Sequence, residues 1–277
     1  MKLKLKHILP HIVLIILILL LIYYIYNNRN EGFQIQDTMK PYTAIIVEPR
    51  KHKALKFVLL NVLTNLDDNW GIIIFHGNLN KEYVQNIIDT QLSNYKNRIK
   101  MISLNVDNLT ISDYNILFKT EGLYNHIPTE TFLVFQTDSM IIPRNRNRIY
   151  HYLHYDYVGA VWPHLDNNIG NGGFSLRKKS KMLEIIKTCP YTNINSSKNI
   201  EKYKEGIENE DIYFSLLCES VTINKPSIDS AKKFSSELVL DSESFGIHKC
   251  WEVHSNEEVS KMFPEVQELQ KLQGVED

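Results

Sequence analysis

The chain has 277 residues, room for one good-sized domain and an appendage. Hydrophobic residues make up 43% and charged residues 23%, which excludes a disordered chain and allows a real buried core. A formal net charge of −1 excludes both the global basic field of a nucleic-acid binder and the acidic excess of a solvating tail.

The N-terminus departs from this average. Ile8 to Tyr26 reads ILPHIVLIILILLLIYYIY, with no acidic or strongly basic side chain. At about 1.5 Å per residue it covers roughly 28 Å, the hydrocarbon thickness of a bilayer. A cleavable signal peptide would end on small residues, whereas this run ends in Tyr23, Tyr24, Ile25 and Tyr26. Lys2, Lys4 and Lys6 precede it and only Arg29 closely follows, so the positive-inside bias keeps the N-terminus cytosolic. Residues 1–26 are therefore expected to be a cytosolic tail and transmembrane anchor, and residues 27–40 a polar stem. A type II membrane protein results, its domain facing a lumen (Golgi or ER) or the exterior.

From Pro41 onward strands and helices alternate. Thr43–Val47 is a short apolar run expected of a buried parallel strand. Leu55, Val58, Leu59, Val62, Leu63 and Leu66 recur at helical spacing. Gly71–Phe75 reads as a second strand, Val84, Ile87, Ile88 and Leu92 as a second helix, and Met101–Val106 as a third strand. Ser112 is expected to cap a third helix through Phe118, and Phe132–Phe135 to form a fourth strand. This cadence implies right-handed crossovers and a sheet covered on both faces. The domain spans residues 41–255, and residues 256–277 form a helical C-terminal tail broken at Pro264.

The three cysteines, Cys189, Cys218 and Cys250, allow at most one intramolecular disulfide and leave one thiol over. None is spaced as a metal ligand. Asn108–Leu109–Thr110 and Asn195–Ser196–Ser197 fit the N-glycosylation pattern.

Four short features carry candidate chemistry, and each has a plainer reading. Gln136-Thr137-Asp138-Ser139 follows the fourth strand, where open α/β sheets bind ligands; Asp138 is a metal-binding acid or a turn cap. Asn171-Gly172-Gly173 allows positive φ and close backbone approach, or is simply a hairpin. Glu210-Asp211 opens an apolar helix, where acids favour the dipole whatever else they do. His248, beside Gly246, is a ligand or a structural histidine.

The order of these pieces is more specific than any one of them. Strand-QTDS, GAVWP, NGGFSLR, NEDIYFS and FGIHK, with Tyr114–Leu117 before the first and Ala231, Phe234, Ser235 and Glu237 before the last, resemble glycosyltransferases of the GT-A fold. Most closely the series is similar to a glycosyltransferase-like family still labelled a domain of unknown function, from about Ala44 to Trp251. The resemblance implies an α/β, GT-A-like (Rossmann-like) mixed sheet with helices on both faces. It also implies a nucleotide-sugar donor and a glycan or glycoprotein acceptor. Asp138 and His248 would hold a divalent metal, expected to be Mn2+. Asp211 would act as base with Glu210 beside it. Asn171, Gly172 and Gly173 would line the sugar pocket, with Arg50, Trp162 and Lys249 as further binding residues. One departure stands out: the common metal motif has two aspartates, and Gln136 replaces the first. A non-catalytic, glycan-binding ectodomain of the same fold is the alternative. A two-metal phosphohydrolase is disfavoured because no His- and Asp-rich cluster is visible.

Overall fold

The computed structural model describes residues 40–166, 168–196, 203 and 206–275. The expected anchor and all but the last residue of the stem lie outside the described residues. Among the described residues no helix is long and apolar enough to cross a membrane.

The expected alternation opens the domain: β1 (Tyr42–Val47), α1 (Leu55–Asn65), β2 (Trp70–His76), α2 (Lys81–Gln91) and β3 (Ile99–Ser103). β3 starts and ends earlier than expected, because Asn105 takes a left-handed φ of 56° that a strand cannot hold. The cap of α3 (Ile111–Phe118) is Thr110 rather than Ser112. The Thr110 hydroxyl accepts from the Asp113 amide while the Asp113 carboxylate accepts from the Thr110 amide, a reciprocal capping box. After α4 (Glu121–Tyr124) comes β4 (Thr131–Val134), followed by β5 (Ser139–Ile141), β6 (Tyr157–Val158), β7 (Val161–Trp162), β8 (Asn168–Ile169) and β9 (Ser175–Lys178).

The main sheet has the order β3-β2-β1-β4-β9-β6. Its first four strands are parallel, and β9 alone is reversed, antiparallel to both its neighbours β4 and β6, so the sheet is mixed. Alternate residues of each central strand feed two cores. Ala44, Ile46, Ile72 and Ile74 join α1 and α2 on one face. Ile45, Val47, Ile73 and Phe75 join Phe118, Leu123 and Met182 on the other. That is why these strands read as unbroken apolar runs: both sides are buried.

The remaining elements are α5 (Lys179–Thr188), α6 (Glu210–Ile212), α7 (Ile228–Lys232), β10 (Ser235–Ser236), β11 (Gly246–His248), α8 (Asn256–Met262) and α9 (Gln267–Gln273). The apolar helix expected after Glu210 has only three α-helical residues and continues as a π-helical turn over Tyr213–Leu217. A disulfide joins Cys189, at the end of α5, to Cys218, just past that turn; Cys250 is free and buried. The C-terminal helices do not stand apart. Val259, Phe263, Val266 and Leu269 are fully buried in the same core as α1.

A second, three-stranded sheet, β10-β11-β5, fixes the ligand-facing edge. β11 runs antiparallel to β5 with His248 opposite Ser139. The register therefore carries the C-terminal histidine to the residues that follow β4, across 112 positions of sequence from Gln136.

Candidate active site

In the main sheet the chain leaves β1 towards β2 on one side and returns beside it as β4 on the other. A crevice opens where strand order reverses in this way. A cleft of about 990 Å³ lies there, lined by Arg50 after β1 and by Gln136 and Asp138 after β4. Trp162, Asn171, Gly173, Glu210, Asp211, His248 and Lys249 line the same cleft. Of the residues expected to bind or react, Gly172 alone is absent from the lining, and its amide still reaches Asp211.

His248 is held between acceptors. Its Nδ1 lies 3.1 Å from Glu237 Oε1, and its Nε2 lies 3.2 Å from Gln136 Oε1 and 3.4 Å from Asp138 Oδ1. Burial works against an imidazolium, but Asp138 and Glu237 outweigh it and raise His248 to about 9. Burial likewise opposes charge on Asp138; the His248 imidazolium and nearby Lys249 override it and hold the carboxyl below its usual range. Gln136 turns its amide nitrogen to the Tyr114 hydroxyl, 2.8 Å away, which leaves its oxygen facing His248. Asn171 donates to Glu237 Oε1 at 2.9 Å and accepts from the Gly173 amide at 3.1 Å. One hydrogen-bonded chain thus runs from Tyr114 to the NGG segment.

The glycines are required for space. Neither Gly172 nor Gly173 has a positive φ. A Cβ on Gly173 would lie 2.2 Å from His248 Nε2, and one on Gly172 would lie 2.3 Å from Glu210 Oε1. The positive φ expected for the pair is not used; close approach by neighbouring side chains replaces it.

Beside Gly172 the two acids of α6 diverge. Glu210 is buried and spends both oxygens on Arg177, at 2.6 and 2.9 Å. Asp211 faces the cleft, accepting from the Gly172 amide at 3.1 Å and its neighbour Ile212 at 2.8 Å. Burial first, and the charge of Glu210 second, push Asp211 up to about 7, against those two amides. Its carboxylate is therefore poised to take a proton near neutrality.

Arg50 forms a two-point contact with Glu48, Nε to Oε1 and Nη2 to Oε2, both 2.8 Å. Lys249 adopts a left-handed φ of 31°, donates its amide to the Asp138 carbonyl and pairs with Glu252 at 3.4 Å. Trp162 forms part of the β7–β8 hairpin. Sequence reasoning missed Glu48 and Arg177, and gave Tyr114 and Glu237 no role. Alternation with Phe174 and Leu176 reads Arg177 as an outward position; it is buried because a second core covers that face.

The expected manganese finds no donor set here. Among the described residues no three His, Cys, Asp or Glu side chains gather as a metal-binding group. Gln136 offers an uncharged oxygen where a carboxylate is usual. Both nitrogens of His248 face acceptors, so Nε2 carries a proton where a ligand needs a lone pair. Asp138 Oδ1 and Glu237 Oε2 are nonetheless buried beside His248 without a hydrogen-bond partner.

The family described as "Protein of unknown function (DUF5672)" matches residues 98–248. No curated protein matches the chain in sequence. Among solved structures, the galactosyltransferase LgtC in complex with donor and acceptor sugar analogs is similar at TM-score 0.54 and 12% identity, over 84% of this chain and 95% of that one. The glycosyltransferase GlyE of Streptococcus pneumoniae TIGR4 is similar at TM-score 0.50 and 9% identity, over 75% of this chain and 55% of that one. At such identities the likeness shows the fold: it is GT-A-like.

Proposed function

We propose, from the premise that this chain belongs to the DUF5672 family and has a GT-A-like fold, that it is a glycosyltransferase. It moves a sugar from a nucleotide-sugar donor to a hydroxyl of a glycan or glycoprotein acceptor. The observation that carries this reading is what lines the cleft. A carboxylate raised to about 7 shares it with the cations Arg50, His248 and Lys249.

In this reading the donor diphosphate lies against Arg50, His248 and Lys249 and draws them from their carboxylate partners Glu48, Asp138, Glu237 and Glu252 to stabilise the charge that develops on departure. The acceptor oxygen attacks the anomeric carbon and the bond from that carbon to the phosphate oxygen breaks. Asp211 takes the acceptor proton. Asn171 and Gly173 floor the sugar pocket, and Trp162 offers an aromatic wall. No step in this reading is routed through a metal.

The N-terminal apolar run makes the protein a type II membrane enzyme with a lumenal or extracellular domain. The Cys189–Cys218 disulfide supports that placement, since such bonds persist in oxidising compartments. A non-catalytic, glycan-binding role remains the second reading, favoured by Gln136 in the acid motif.

The test is nucleotide release by the full chain in detergent, screened over UDP- and GDP-sugars with and without glycan acceptors. Free nucleotide that appears only with an acceptor supports transfer. Glycan binding without nucleotide release under any donor supports the second reading and removes the first.

A further inference from the structure

Arg177 lies in the middle of β9 with no exposed surface. Its guanidinium sits over three rings, 4.9 Å from the centroid of Tyr157, 5.3 Å from Phe118 and 5.7 Å from Phe214. Its hydrogen bonds reach Glu210, Gly172 and Ser175. Nη1 and Nη2 donate to the two oxygens of Glu210, Nη2 also donates to the Gly172 carbonyl at 3.3 Å, and Nε donates to Ser175 Oγ at 2.9 Å. Arg177 itself does not line the cleft.

A buried ion pair is a poor way to stabilise a core. Desolvating both charges offsets most of their attraction, and apolar residues of similar volume do as well or better. The pair is better explained by what it holds. Glu210 precedes Asp211 in the chain. The amide of Gly172, whose carbonyl Arg177 grips, donates to Asp211 Oδ2. One guanidinium therefore fixes both the backbone that carries Asp211 and the backbone that orients its carboxylate.

We propose that Arg177 is a positioning residue for Asp211, gripping Glu210 and Gly172 together so that one carboxylate orientation is presented to the cleft. The inference rests on the reading that Asp211 receives the acceptor proton. Glu210, with both oxygens engaged, is part of the clamp and not a second base.

The clamp also sets the field at Asp211. Among the described residues the charges that face it are Glu210, which favours the protonated form, and Arg177, which favours the ionised form; the un-ionised Tyr157 phenol lies beside them. Removing one member leaves the other uncompensated. Glu210→Gln, which keeps shape and one of the two bonds from Arg177, should lower the Asp211 midpoint by about one unit or more; Arg177→Gln should raise it by a similar amount. Arg177→Lys keeps the charge and loses the two-point grip. It should bring the midpoint back towards wild type while leaving kcat reduced about tenfold or more and the donor KM within about twofold.

The experiment is carboxyl titration by difference infrared spectroscopy on the full chain in detergent, with Asp211→Asn identifying the band, alongside transfer kinetics against pH. Opposite shifts in the two glutamine variants support the proposal. Two variants that merely unfold at lower temperature, with midpoints unchanged, would overturn it. If Arg177→Gln does not fold, Glu210→Gln and Arg177→Lys decide alone: an unmoved midpoint in the first, or an undiminished kcat in the second, overturns it. Opposite shifts with no transfer from any donor would leave the clamp standing and remove the transferase reading.

Discussion

Gly173 lies against His248 so closely that a single added methyl would fall 2.2 Å from Nε2 of the imidazole. The contact joins the NGG segment to the end of β11. It leaves the ring one place to sit, between Glu237 on one side and Gln136 with Asp138 on the other. Gly173→Ala must move either the histidine or the backbone. The expected outcome is about 1–3 kcal/mol of lost stability, the usual penalty for overpacking, and about tenfold weaker binding of nucleoside diphosphates. Calorimetric titration with UDP and GDP, with thermal unfolding of the same samples, checks both; unchanged affinity would mean that His248 does not face the diphosphate.

Asp211→Asn keeps size and one of the two amide contacts while removing the base. Transfer should fall by about 10²–10⁴, the range associated with a lost general base, with nucleotide binding intact. In the wild type, log kcat should rise with pH at unit slope and level off near 7, because only the ionised carboxylate accepts a proton. A variant that is folded and nearly as fast as wild type would return Asp211 to a helix-capping role.

His248, raised to about 9 from an ordinary 6.5, contributes stability as an imidazolium. That contribution is complete below about pH 6.5 and is lost as pH rises through 9, a difference on the order of 3 kcal/mol. Melting temperature should therefore decline between pH 7 and 10 in the wild type and flatten in His248→Gln. Added manganese or chelator should change neither curve. A manganese-dependent rise in the wild type would show that an ion displaces the proton.

The disulfide gives a count and a magnitude. Of the three cysteines, Cys250 alone should react with a thiol reagent in denaturant, and all three after reduction. Closing a loop with sequence separation 29 is worth about 3–4 kcal/mol by the chain-entropy estimate. Cys218→Ser should lower the melting temperature accordingly and slow transfer, because the bond tethers the turn that follows Asp211. Three free thiols in protein isolated without reductant would argue against an oxidising compartment. Protease protection in sealed microsomes, lost on adding detergent, checks the same topology independently.

The sequence by itself determined the framework. Unbroken apolar runs such as Ile72–Phe75 announce strands buried on both faces, because Ile72 and Ile74 enter one core while Ile73 and Phe75 enter the other. Leu55 to Leu66 at helical spacing marks α1, since a helix packed on a sheet needs one apolar stripe. The motif order also put Asp138, Asp211 and His248 on the list, though each has the local signature of an ordinary cap or core residue. Only the tertiary structure decided what they do there. The β5–β11 register brings His248 to Gln136 and Asp138, and three acceptors around the ring favour its imidazolium. Packing against Glu210 and His248, and not backbone φ, requires the paired glycines. Arg177 takes Glu210 out of solution and leaves Asp211 to the cleft. These are contacts between residues tens of positions apart, and their energies depend on distance, burial and a shared partner. Local pattern carries none of the three.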